Sequence, residues 1–190
     1  MYKLVTFLIT GALIYGVGSD GRLRGGKTSR AGKSNTGHLV LCEKDPEWAC
    51  VEDGAWGKMN YRLSGPVFRF VFNGHGLEPE SMYTLIYYPD PWPGEGLICL
   101  GEGMGDEFGN VHIRAMVNTC DLPAPFDENE DGAKIWLVLS SDIDCEGDDV
   151  QGPRMVGWNP TEYLFEYDLI TFDDTDSFWD DTGACVDDEE

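Results

Sequence analysis

Between His38 and Phe172 no segment carries a sustained helical period, and eight short apolar runs stand in its place. That absence constrains the chain more than any motif does, because a core must then be built from strands. The runs are HLVLC (38–42), KMNYRLSG (58–65), PVFRFVFNG (66–74), MYTLIYY (82–88), GLICLGEG (96–103), GNVHIRAMVN (109–118), AKIWLVLS (133–140) and EYLFEYDLITF (162–172). The second and third read as a hairpin. In the sixth, Val111, Ile113, Ala115 and Val117 share one face while His112, Arg114 and Asn118 share the other, the period of a half-buried strand. The seventh is apolar on both faces, as a central strand would be. The 24 glycines and 10 prolines supply the turns between runs. About eight strands at this spacing predict an all-β antiparallel sandwich or barrel over residues 38–172.

Within GLEPESMYTL, Leu77, Pro79 and Tyr83 stand in a Leu-x-Pro-x-x-x-Tyr spacing. This resembles the tyrosine corner of fibronectin type III and related immunoglobulin-like domains. The resemblance covers about ten residues directly, with a compatible strand pattern over 38–172. It implies an immunoglobulin-like β-sandwich in which Leu77 caps the core, Pro79 shapes a crossover and Tyr83 bonds a nearby backbone group. The chain departs from that family in length, since its β-rich part exceeds the ~100 residues usual there. The insertion CDLPAPFDENEDG is also foreign to it. In general character the chain is similar to exported prokaryotic surface proteins.

Six cysteines stand at 42, 50, 99, 120, 145 and 185, none in a CxxC pair. An even set without metal-type spacing points to disulfides in an oxidising compartment, and so to an extracellular or cell-surface protein. Fifteen connectivities are open for six cysteines. Pairing of sequence neighbours gives Cys42–Cys50, Cys99–Cys120 and Cys145–Cys185 as the expectation. Residues 4–17, LVTFLITGALIYGV, follow Lys3 and resemble the apolar part of a signal peptide over 1–18. A basic Gly/Ser linker occupies 19–37. Inside it, GRLRGGKT (21–28) matches a phosphate-loop pattern, but no strand–helix context surrounds it and it is read as coincidence.

The formal charge is −22, and it is segregated. Residues 1–37 hold six bases and one acid, whereas 38–190 hold seven bases and 34 acids. Such a chain repels nucleic acid and anionic membranes, and suits calcium or a basic partner. The last segment, 173–190, has nine acids and reads as a mobile solvated end; the alternative is that Phe178, Trp179 and Cys185 pin it to the domain.

Two acidic runs carry a candidate calcium site. DENEDG places Asp127, Asn129 and Asp131 at alternate positions before Gly132, like the first half of a calcium loop. The twelfth position is Val138 rather than a bidentate glutamate, so a remote carboxylate would have to complete the shell. DIDCEGDD repeats the pattern with Asp142 and Asp144. The competing reading of both is a solvated acidic turn. The three histidines have no nucleophile context and no GxSxG occurs, so no enzymatic reading has support.

The stretch YYPDPWPGEG (87–96) sets Tyr87, Tyr88 and Trp92 among three prolines. Proline removes an N–H donor and fixes φ, which excludes a central strand and makes a stiff loop. If Trp92 faces outward, that loop presents an indole for binding. The expected function is a non-catalytic secreted protein with a structural or adhesive role, associating with a protein partner or with itself by strand addition. The alternative is a carbohydrate-binding module whose aromatic faces stack on a glycan.

Overall fold

The structure is a computed structural model and describes residues 34–129, 131–147 and 152–187. The expected signal peptide (1–18), the phosphate-loop match and the linker up to residue 33 lie outside the described residues. In chain order the strands are β1 (Gly37–Cys42), β2 (Trp56–Tyr61), β3 (Ser64–Gly65), β4 (Phe68–His75), β5 (Met82–Tyr87), β6 (Ile98–Met104) and β7 (Val111–Val117). There follow β8 (Ile135–Leu139), β9 (Ile143–Asp144), β10 (Arg154–Met155), β11 (Phe165–Glu166), β12 (Asp173–Asp174), β13 (Ser177–Trp179) and β14 (Cys185–Asp187).

Two sheets dominate. One has the order β11-β1-β2-β4-β7 and the other β6-β5-β8, with all neighbours antiparallel. This is an all-β sandwich-like fold and not a closed barrel. The predicted hairpin is the β2–β4 pair, in register from Trp56 opposite His75 to Tyr61 opposite Phe70. The inward residues alternate as a half-buried sheet demands: Leu39 and Leu41, Met59 and Tyr61, Phe68, Phe70 and Phe72, then Val111 and Ile113. They meet Tyr83, Leu85 and Tyr87 of β5, Leu100 of β6, and Ile135 and Leu137 of β8 in one core.

In the three-stranded sheet, β5 and β8 are buried on both faces over most of their length, whereas β6 keeps Glu102 and Met104 exposed. Ile86, Tyr88, Trp136 and Val138 lie on its far side, where Ile143, Tyr163 and Phe165 cover them in a second core. That explains why β8, residues 135–139, is apolar throughout. The expected strand at 162–172 is broken up. Leu164 bridges to Leu137, Phe165 and Glu166 pair with β1, Ile170 bridges to Ala133 and Phe172 to Leu122. This segment stitches several elements together because it runs along the boundary of the two sheets, so its apolar residues serve both cores.

The Leu77–Tyr83 turn carries the chain from β4 in one sheet to β5 in the other. Tyr83 is fully buried, and its hydroxyl accepts the backbone N–H of Glu78 at 3.0 Å. Leu77 is buried, whereas Pro79 is exposed on the outside of the turn.

All six cysteines are bridged, as Cys42–Cys50, Cys99–Cys145 and Cys120–Cys185. Only the first is a sequence-neighbour pair; the expected Cys99–Cys120 and Cys145–Cys185 bridges do not form. Cys99 on β6 instead ties down the segment that covers the far face of the small sheet. Cys120, just past β7, holds Cys185 of β14. The acidic end is therefore part of the fold through residue 187. There β12 pairs in parallel with β3, β13 pairs with β14, and the Trp179 indole N–H donates to the Asp121 carbonyl at 3.0 Å.

The Cys120–Cys185 bridge closes a span of 65 residues. The double substitution Cys120→Ala/Cys185→Ala should lower unfolding stability by about 2–4 kcal/mol, mainly through the freed unfolded chain. Urea unfolding with both other bridges intact checks this.

Candidate binding site

The loop 88–97 joins β5 to β6, and its footing is a buried carboxylate. Asp127 takes the Tyr87 hydroxyl on Oδ2 at 2.7 Å. Its Oδ1 accepts the backbone N–H groups of Asp90 at 3.0 Å and Asn129 at 2.9 Å. The Tyr87 oxygen in turn accepts the Ala124 N–H at 3.0 Å. Glu128 N–H donates to the Asp90 carbonyl at 3.1 Å, and the Asp90 carboxylate is paired with Lys134. One side chain thus fastens the foreign insertion to the proline loop. Burial, and then the bond to Asp127, hold the Tyr87 hydroxyl far above its usual range, so it stays a donor.

The loop then turns on two glycines. Gly94 and Gly96 have φ of +81° and +83°, a region open to glycine. Space demands glycine as well. A Cβ at Gly94 would meet the Tyr88 ring at 2.6 Å, and one at Gly96 would meet the Phe126 ring at 2.4 Å. Tyr88 lies beneath the loop, stacked on Trp136 with centroids 4.1 Å apart. Its hydroxyl is buried without a hydrogen-bond partner among the described residues, and burial with the nearby Asp90 charge pushes it up to about 12.

Trp92 is held outward, 68% exposed, at the tip of this loop. Its ring meets Trp158 edge-on at 6.4 Å, and Trp158, 46% exposed, rests on Tyr163 and Trp136. Beside Trp92 opens a cleft of about 600 Å³, lined by Asp90, Trp92, Glu95, Phe126, Asp181 and neighbouring loop residues. Phe126 is itself braced edge-on by Trp179 at 5.2 Å. The wall combines two aromatic faces with three carboxylates. It can stack on an apolar ring face and accept hydrogen bonds from hydroxyls.

Of the three aromatics singled out in the sequence, Trp92 faces solvent. Tyr87 and Tyr88 are buried and support the loop from below, so they offer no face to a ligand. Phe126 and Asp181 are site residues that sequence reasoning missed. Both come from segments far from residue 92, and only the glycine punctuation of the loop hinted at a close approach by another ring.

The five residues proposed for calcium fall into separate clusters. Asp127 spends both oxygens on protein donors, and Asn129 and Asp131 follow it in a turn in which Gly132 N–H donates to the Asn129 carbonyl. Asp142 is buried against Tyr163, whose hydroxyl it accepts at 2.5 Å, and Asn159, whose amide it accepts at 2.7 Å. Asp144 accepts the Gly147 N–H and pairs with Arg154 at 3.3 Å. Among the described residues no group of three or more His, Cys, Asp or Glu is placed to hold a metal ion. Asp127, Asp142 and Asp144 each accept hydrogen bonds from neighbouring loop groups.

No family model, curated protein or solved structure matches this chain. Among the described residues no helix is long and apolar enough to cross a membrane.

Tyr87→Phe would leave the Ala124 N–H without its acceptor and Asp127 Oδ2 without the tyrosine donor. A loss of about 1–3 kcal/mol is expected, since buried groups left unpaired carry their desolvation penalty. Chemical unfolding with intact disulfides measures it. The pH dependence has a definite sign. Tyr87 and Tyr163 ionise higher in the fold than the usual tyrosine value of about 10. Their contribution is full below that value and falls as pH rises above it, while the unfolded tyrosines ionise. Unfolding midpoints should therefore decline above pH ~10, and less so in Tyr163→Phe.

Proposed function

We propose that this chain is a non-catalytic exported β-sandwich protein with an adhesive or structural role, and that Trp92 is a contact residue. The observation that carries this is the outward indole on a proline-stiffened loop whose base is fastened by Asp127. A loop already ordered before binding loses little entropy on contact. Three disulfides among the described residues suit the oxidising exterior of a cell. The immunoglobulin-like reading rests on neighbour relations. β4 lies between β2 and β7, and β5 between β6 and β8, the arrangement of strands A-B-E and C′-C-F in that architecture. On that mapping the tyrosine turn sits on the crossing into the third strand rather than at the E–F corner. Its mechanical task, pinning a crossover between sheets, is the same.

A second reading, a carbohydrate-binding module or accessory domain, is favoured by the cleft itself. An indole, a phenyl ring and carboxylates around about 600 Å³ match the apolar and hydroxyl faces of a sugar. Titration with neutral oligosaccharides separates the two readings. A glycan binder changes its tryptophan emission on addition of sugar, and Trp92→Ala abolishes the change while the melting temperature holds. An adhesive subunit shows no such change and sediments as concentration-dependent oligomers. A chain that does neither, with and without Trp92, is not described by this proposal.

A further inference from the structure

The outward face of the five-stranded sheet is basic on an otherwise acidic protein. Its exposed positions alternate with the core positions strand by strand. They are His38 and Val40 on β1; Trp56, Lys58 and Asn60 on β2; Arg69, Val71, Asn73 and His75 on β4; and His112, Arg114 and Met116 on β7. Arg62, one residue past β2, continues the alternation. Four of the seven bases in 38–190 are here, and all three histidines of the chain. On these four strands the outward positions hold no carboxylate, although 34 acids are available in 38–190.

Register places the charges close together. Arg62 N–H donates to the Arg69 carbonyl at 2.9 Å, so the two stand directly opposite on adjacent strands. Arg69 faces Met116, and Arg114, two residues before Met116, faces Val71. Neighbouring strands lie ~4.8 Å apart and alternate residues ~6.8 Å apart, so these three guanidinium stems share one patch. Like charges placed opposite each other destabilise a sheet. Among the described residues no carboxylate forms an ion pair with Lys58, Arg62, Arg69 or Arg114; the ion pairs use Lys44, Lys134 and Arg154. The fold therefore keeps an uncompensated cationic patch where one cross-strand glutamate would have relieved it.

The rest of the face is suited to sugar hydroxyls. Each histidine sits against an asparagine: His38 Nδ1 lies 2.6 Å from Asn60 Oδ1, His112 Nδ1 2.8 Å from Asn73 Oδ1, and His75 Nδ1 2.8 Å from Asn110 Oδ1. These pairs hold the rings in place on the outward face, among the exposed Val40, Trp56 and Met116. Trp56, half exposed, lies tilted against His75 with centroids 4.7 Å apart and offers an aromatic plane at one end.

We propose that this face docks an acidic polysaccharide, one bearing carboxylate or sulfate groups on successive rings, with Arg62, Arg69, Arg114 and Lys58 binding the anions and Trp56 stacking on a ring. Guanidinium groups bind carboxylate and sulfate through paired N–H donors. A nucleic acid duplex, with one charge per ~1.7 Å, would meet the repulsion of the whole chain. A glycan charged once per ring has a much lower density and touches the patch locally. A second copy of this chain brings its full negative charge with it. This site is separate from the Trp92 cleft and stands or falls independently of it.

The experiment is direct binding of the full chain to immobilised polygalacturonate and chondroitin sulfate, with dextran as the neutral control. At ~50 mM salt both acidic polymers should bind and dextran should not, and binding should weaken as salt screens the contacts. The triple variant Arg62→Ser/Arg69→Ser/Arg114→Ser should bind about tenfold more weakly or worse, as expected for loss of three ionic contacts. Its melting temperature should hold or rise, because like-charge repulsion is removed. If the triple variant does not fold, Arg69→Ser alone is measured, with a smaller loss in the same direction. Failure of both acidic polymers to bind at low salt overturns the proposal, as does undiminished binding in the folded variants. Sedimentation that depends on concentration and is abolished by the same substitutions, without polymer binding, assigns the face to a second copy and overturns it too.

Discussion

Buried tyrosine hydroxyls hold the crossings of this protein, and the two sheets rely on them. Tyr83, Tyr87 and Tyr163 are each fully buried, and each accepts a backbone N–H from a turn, those of Glu78, Ala124 and Asn159. A strand-to-strand crossing leaves backbone donors with no ladder partner, and a buried donor without a partner is costly. A tyrosine solves this at long reach, because its ring fills the core while its oxygen serves the loop. Two of the three also donate to a buried carboxylate, Asp127 or Asp142. Those carboxylates then collect further donors from the loops around them. Asp127 and Asp142, one from each acidic run, are the receiving ends of the tyrosine fastenings.

The disulfides act on the same problem from the outside. The small sheet is covered on its far face by a segment with little regular structure of its own, and Cys99–Cys145 ties that cover to β6. Cys120–Cys185 does the same for the acidic end. In each case a segment with little ladder pairing of its own is held against a strand or strand end of the two main sheets. The stiff loop at 88–97 inherits this rigidity, since Tyr88 beneath it stacks on Trp136 of the doubly covered strand. The exposed Trp92 is therefore carried on a loop whose base is held by Asp127 and underlain by Tyr88.

Charge is distributed with equal consequence. Carboxylates crowd the loops, the cleft and the last strands, while the outer face of the large sheet keeps four bases and no acid at its exposed positions. Two chemically distinct surfaces follow, one aromatic and acidic, the other flat and basic.

The strands themselves were legible in the sequence because period-two alternation is local: Val111, Ile113 and Ala115 point one way whatever lies beyond them. The Leu77–Tyr83 turn was legible for the same reason, since its hydrogen bond spans five residues. That PDPWPGEG lies between strands rather than inside one also followed from its prolines. What tertiary structure decided were the relations between distant segments. The partners of Cys99 and Cys120 depend on which segment folds over which sheet, and sequence proximity carries no information about that. The continuous run at 162–172 became a set of short pairings because it lies where two sheets meet. Phe126 and Asp181 joined the cleft only through the folding of segments on either side of it. The basic face existed in the sequence as scattered residues at 58, 62, 69 and 114, and antiparallel register made it one surface. Whether Trp92 pointed inward or outward was likewise settled by the packing of Tyr88 under Gly94, a contact that no local pattern encodes.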